Sequence, residues 1–176
     1  MKIFSYMILL ATLSCTTTYP KQDPIGEPFP NVEGQSLSGK KWNLPKEIKG
    51  QKTLLLIGYK QKSQFDIDRW LIGIDQKRYK VNVFEIPAVQ GIIPRIIANS
   101  IDSGMRSGIP KPLWSVVITV YRDADKIAQF LGNETLINAR VVVVDEQGIV
   151  AFSYDKGFSV NALNQLGEFF PTTEQK

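Results

Sequence analysis

The chain has 176 residues, 43% of them hydrophobic, and a formal charge of +4 that is spread along it rather than clustered. This suits one domain with a sizeable core, without the basic stripe and interleaved aromatics of a nucleic-acid binder. There is no histidine and one cysteine, which removes Ser-His-Asp and Cys-His nucleophile pairs, histidine metal sites and four-ligand structural zinc.

The first segment, MKIFSYMILLATLSC, carries Lys2 and then an apolar run from Ile3 to Leu13. A bilayer-spanning helix needs about 20 apolar residues, so the run is too short for one; its length suits the h-region of a secretory signal. Cys15 stands where a bacterial lipoprotein signal, which this segment resembles, places its acylated residue. That resemblance implies that residues 1–14 are removed. The mature chain then begins at Cys15, lipid-anchored on the periplasmic side of a bacterial membrane. The alternative is an ordinary cleaved signal, or an uncleaved anchor, with an incidental cysteine. Residues 15–28 are small, polar and proline-rich, which predicts a flexible tether. The folded domain is expected over 29–170, with a frayed tail over 171–176.

Within the domain, FPNVEGQSLSGKKWNLP (Phe29 to Pro45) has two short apolar segments around small turn residues and predicts a hairpin. Leu54 to Tyr59 is a continuous apolar run, the mark of a strand covered on both faces. Ser63 opens a helix to about Lys77, with Ile67, Trp70, Leu71 and Ile74 at helical spacing. Val81 to Phe84 is a strand ended by Pro87. Ile92 to about Met105 predicts a second helix, with Pro94 in its first turn and Ile93, Ile96, Ile97 and Ile101 as a face expected to meet the core. Ser115 to Tyr121 is a strand. A short helix runs from Asp123 to Phe130 and stops at Gly132. VVVVDEQGIVAFSY (Val141 to Tyr154) is a hairpin whose Gly148 is free to take a positive φ. Val160 to Phe170 is the last helix. The crossovers imply parallel pairings and the closing hairpin an antiparallel edge. The expected fold is therefore α/β, a mixed central sheet with helices on both faces and an extra N-terminal hairpin.

Few residues are left to carry chemistry. Neither GxGxxG nor GxxxxGK[ST] occurs. With Cys15 in the signal, no thiolate remains for thiol-disulfide exchange. Asp66 and Asp68 lie two apart and do not share a helix face. Ser63-Gln64-Phe65-Asp66 matches a capping box, and Arg69 lies within reach of Asp66. Asn133-Glu134-Thr135 matches the N-glycosylation pattern.

The element order, with VVVVDEQGIV followed by a helix, resembles the thioredoxin-like superfamily, and the N-terminal hairpin and middle insertion resemble its peroxiredoxin-type branch. Lys62-Ser63-Gln64-Phe65 then falls where the superfamily holds a CxxC, and the position of its cis-proline falls near Ala139. FPNVEGQSLSGKKWNLP, LLLIGY with Trp70 in the next helix, and YRDADKIAQFLGNETLINARVVVVDEQGIVAFSYDKG are similar to the family of mitochondrial ATPase complex subunit ten. Asn133, Asp145, Gly148 and Gly157 fall on that family's pattern. The resemblance implies a redox-inactive scaffold that assists assembly of a membrane protein.

The expected function is thus a membrane-tethered binding or assembly module, without cofactor, metal or catalytic residue, whose partner is a protein at or near the membrane. Its expected binding face is the emptied corner: Lys60, Gln61, Lys62 and Ser63 at a helix N-terminus with Asn138 and Arg140, suited to a carboxylate or phosphate. The alternatives are an oxidoreductase of altered chemistry using Ser63, which lacks an evident base, or a passive envelope lipoprotein.

Overall fold

The structure, a computed structural model, describes residues 17–172. The signal, Cys15 and the end of the tail, 173–176, fall outside them. Strands β1 (Val32–Ser36) and β2 (Lys41–Leu44) form the expected hairpin, with Val32 opposite Leu44. In β3 (Thr53–Gly58) every residue is buried. Leu54 and Leu56 pack with Trp70 and Leu163 on one face, while Leu55 and Ile57 pack with Phe84 and Ile127 on the other. Two cores pressing on one strand explain why its apolar run does not alternate.

Helix α1 (Gln64–Lys77) lays Ile67, Trp70 and Ile74 on the first core and ends at Arg78 in a left-handed turn. Strand β4 (Asn82–Pro87) returns parallel to β3. The stretch expected to be one helix is two, α2 (Ile92–Ile96) and α3 (Ala98–Gly108), broken at Ile97 (φ −102°, ψ 20°). Its isoleucines are not in the core either: Ile92, Ile93, Ile96 and Ile97 are all exposed. Polar groups set this orientation. The Arg95 guanidinium donates to the Tyr121 and Arg122 carbonyls and to Asp125, Tyr121 Oη donates to buried Asp102 (2.7 Å), and Arg106 Nε donates to the Leu37 carbonyl. Hydrogen-bonded charged side chains therefore face the body, and the apolar face is turned out.

Strand β5 (Ile118–Thr119) is shorter than the expected 115–121. It pairs antiparallel with β1, and parallel bridges at Glu85–Val117 and Ala88–Val120 join it to β4. Helix α4 (Ala124–Leu131) covers the second core. Strands β6 (Arg140–Val144) and β7 (Val150–Tyr154) close the antiparallel edge, with β6 antiparallel to β3. Asp145 Oδ1 accepts the Gln147 and Ile149 N–H groups in the turn, and Gly148 takes φ 91°. Helix α5 (Val160–Leu166) joins α1 over the first core, its start capped by Ser159. The result is a mixed sheet, β2-β1-β5 bridged to β4-β3-β6-β7, with helices on both faces as expected.

Both ends of the described chain are tied to this frame. Residues 17–28, expected to be a free tether, are hydrogen-bonded along it. Gly26 N–H donates to Val150, Val150 N–H to Glu27, and Phe29 N–H to Gly148. In the tail, Lys80 N–H donates to Pro171, and Thr172 bridges to Tyr79.

Glu85 in β4 is a polar residue inside this frame, and burial pushes its carboxyl above the ordinary value; the Gln64 amide acts against the shift and Asp68 with it. As pH rises, the unfolded chain ionises Glu85 before the folded one does. Stability falls between those two pKa values, and the loss persists above the higher one. Glu85→Gln is therefore expected to raise the urea midpoint at neutral pH and to bring no gain below the unfolded pKa, as chemical unfolding across the acid range would read.

Candidate functional site

The corner begins where β3 ends. Residues 61–63 form one tight turn, and Ser63 leads into α1. Lys60, Gln61 and Lys62 are exposed, whereas Ser63 is only 1% exposed. Its hydroxyl accepts from Lys60 N–H at 3.4 Å and donates to the Leu136 carbonyl at 2.9 Å. This corrects the expected face, on which Ser63 was a surface group. The hydroxyl fastens the 60–63 turn to the loop before β6, with no side-chain base among its partners.

Asp66 is likewise not a cap. It is buried, and no side chain caps the start of α1. Its two carboxylate oxygens accept one backbone N–H each, Ala139 at 2.8 Å and Phe158 at 2.7 Å. Three separate stretches of chain therefore converge on one carboxylate. The capping-box pattern placed an acid in the first turn, but the donors that use it come from distant segments.

Arg140 is also relocated. Only 3% exposed, it donates from Nε to Gly132 and from Nη1 to the Thr135 and Asn138 carbonyls. Its guanidinium lies over the Tyr59 ring, 5.2 Å from the centroid. Tyr59 Oη is buried without a hydrogen-bond partner among the described residues; burial pushes this phenol upward, with the Arg140 charge acting the other way and Asp155 reinforcing the rise. Arg140 thus braces the loop that precedes its own strand instead of standing free on the surface.

What remains open is a cleft of about 380 Å³ lined by Lys21, Glu134, Asn138, Arg140, Asp155 and Lys156 among others. Lys21 Nζ and Asp155 pair at 2.6 Å across it, and Asn138 Nδ2 donates to the Asp155 carbonyl. The structure therefore divides the expected face in two. Asn138 and Arg140 line the cleft, Lys60, Gln61 and Lys62 stand on the adjoining turn, and buried Ser63 links the two. Beside that link Phe65 is 72% and Ile137 56% exposed. Sequence reasoning missed both, though Phe65 carried a signal: it lies two positions from Ile67, on the opposite side of the helix. Lys21 and Asp155 had no local signal, since segments remote in sequence bring them together. Among the described residues, no three acids, cysteines or histidines cluster as a metal site.

Asn133, which matches a glycosylation pattern, is buried and fully engaged. Its Oδ1 accepts Tyr19 N–H at 2.6 Å, and its Nδ2 donates to the Thr17 carbonyl and to Gln90 Oε1. Beside it Gly132 takes φ 74°, and a Cβ there would fall 2.7 Å from Lys21 Cα and 2.8 Å from the Pro20 carbonyl. Gly132→Ala is expected to cost about 2 kcal/mol through backbone strain and to lift residues 17–21 off the fold, read as faster amide exchange there.

No known family's sequence profile matches the chain, and no curated protein matches it. Solved structures do. A thiol peroxidase from Chromobacterium violaceum superposes with a TM-score of 0.54 at 12% identity, over 86% of this chain and 90% of that one. The chain has the thioredoxin-like fold. BsSco, a member of the Sco family of cytochrome c oxidase assembly proteins, gives a TM-score of 0.55 at 11% identity over 83% and 95% of the two chains. A SCO1/SenC family lipoprotein from Bacillus anthracis str. Ames gives 0.56 at 9% identity over 85% and 98%. On this thioredoxin-like frame the corner between β3, α1 and the loop before β6 is occupied by Lys60, Lys62, Ser63, Phe65 and Ile137, and among the described residues no cysteine stands there.

Proposed function

We propose that this chain is a membrane-tethered, redox-inactive thioredoxin-like module that binds a membrane or envelope protein and assists its assembly. The observation that carries the reading is Ser63. At the position where the superfamily's reactive cysteine loop aligns, its hydroxyl is buried and committed to the Leu136 carbonyl. A serine so placed has neither access to substrate nor a base to activate it. The corner offers other means of contact: Phe65 and Ile137 as apolar anchors, Lys60 and Lys62 as flanking charges. Apolar anchors beside a polar rim are the usual make-up of a protein-binding patch.

The resemblance to the subunit ten family and the naming of BsSco as a member of an assembly-protein family both favour an assembly role. The lipoprotein label on the Bacillus anthracis neighbour favours an acyl anchor at Cys15 and a place outside the cytoplasm. Tethering raises the local concentration at a membrane partner, so modest contacts suffice.

The test has two arms. The purified chain is expected to turn over neither a disulfide nor a hydroperoxide substrate. A photocrosslinker in place of Phe65 or Lys62 is expected to capture a membrane protein in situ, and Phe65→Ser with Ile137→Ser to weaken that capture about tenfold or more. Turnover would refute the redox-inactive reading, and unchanged capture in the double variant would refute the corner as the contact.

A further inference from the structure

Helix α2 is amphipathic with its apolar side outward. Ile92 and Ile96 stack one turn apart, as do Ile93 and Ile97, and all four are exposed, Ile92 at 73% and Ile96 at 77%. Between them Arg95 points the other way, its guanidinium held by the Tyr121 and Arg122 carbonyls and by Asp125 at 2.9 Å. The arginine therefore neither covers the isoleucines nor competes with them for a partner. Four adjacent branched aliphatic side chains left in water call for an occupant.

The path of the N-terminal segment says which. The Thr17 carbonyl accepts from Asn133 Nδ2, and the same nitrogen donates to Gln90 Oε1. Gln90 is two residues before Ile92, at the root of α2. Thr17, the first described residue, is thus held at the root of α2. Cys15 is two residues further on, a reach of at most about 7 Å, and before it comes the apolar run from Ile3 to Leu13. Whatever anchors that stretch in a bilayer brings the α2 end of the molecule to the lipid surface.

We infer that α2 inserts Ile92, Ile93, Ile96 and Ile97 into the lipid headgroup–acyl boundary, as a second membrane contact beside the N-terminal anchor. A helix lying in the interface with aliphatic side chains down and its charge turned away matches the physics of interfacial docking, in which one weak anchor and one amphipathic surface add. The contact fixes the orientation of the domain on the membrane. This inference rests on the tethered reading above, since the position of the anchor selects lipid as the occupant.

The experiment uses the full chain with Ile96→Trp, recovered from membranes and reconstituted into phosphatidylethanolamine–phosphatidylglycerol vesicles with brominated acyl chains. The introduced indole is expected to be quenched relative to the parent chain. Ile92→Ser with Ile93→Ser is expected to abolish most of that quenching and to lower vesicle partition about tenfold. An unquenched indole overturns the inference, whether the chain floats with the vesicles or not. So does an indole shielded from bromine by concentration-dependent self-association, which would make a second copy the occupant. The mass of the recovered chain tests the anchor separately. An unacylated chain whose indole is quenched would refute the Cys15 anchor and leave the α2 contact standing; an acylated chain with an unquenched indole would do the reverse.

Discussion

Asp66→Ala is expected to lower stability by about 3–5 kcal/mol, because one buried and one part-buried backbone N–H lose their carboxylate acceptor at once. The donors are Ala139 and Phe158, at 2.8 and 2.7 Å, from two stretches distant from α1 in sequence. A cap on α1 would be worth only about 1 kcal/mol, so the size of the loss separates the two roles. Asp66→Asn keeps one acceptor oxygen and turns an amide NH₂ toward the other donor; about 2 kcal/mol is expected. Urea unfolding with an unchanged slope would read both. Hydrogen exchange should localise the loosening to 136–139 and 157–159. A loss below about 1 kcal/mol for the alanine variant would mean that the carboxylate does not hold the corner.

Arg140→Met is the second large effect. The methionine conserves much of the apolar stem over Tyr59 but removes every donor, leaving the Gly132, Thr135 and Asn138 carbonyls without their shared guanidinium. A cost of about 2–4 kcal/mol is expected from the loss of three bonds from a charged donor, the buried one to Gly132 among them. Arg140→Lys is expected to recover less than half of it, because a single ammonium cannot reproduce the planar fork that reaches three carbonyls. The cleft lined by Asn138 and Arg140 should open with it. Amide exchange across 132–138 and the thermal midpoint measure the change. If Arg140→Lys behaves like the parent chain, charge rather than geometry holds the loop.

Both variants fall where the pattern of the chain and the packing of the chain part company. The order of strands and helices was legible because its signals are local: the unbroken Leu54–Tyr59 run, the helical spacing of Ile67, Trp70 and Ile74, and the Asp145–Gly148 turn. The corner was legible as a location, since the turn before α1 and the loop before β6 could be placed by that order.

What was not legible is where each side chain points. Ser63, Asp66 and Arg140 look like surface or capping residues in sequence and are buried in the fold, each bonded to backbone far along the chain or across the loop. The α2 isoleucines look like core and stand in water, because the polar bonds of Arg95, Asp102 and Arg106 to the body outweigh their helical spacing. The residues 17–28 look like a tether and are bound along the frame, where Asn133 and Gly132 receive them.

By itself the sequence determined the class of fold and the absence of imidazole chemistry, since hydrophobic periodicity and residue inventory are properties of the chain read in order. Only the tertiary structure decided which polar groups are buried and which apolar ones are exposed. Hydrogen-bond partners distant in sequence set that division, and periodicity carries no record of them.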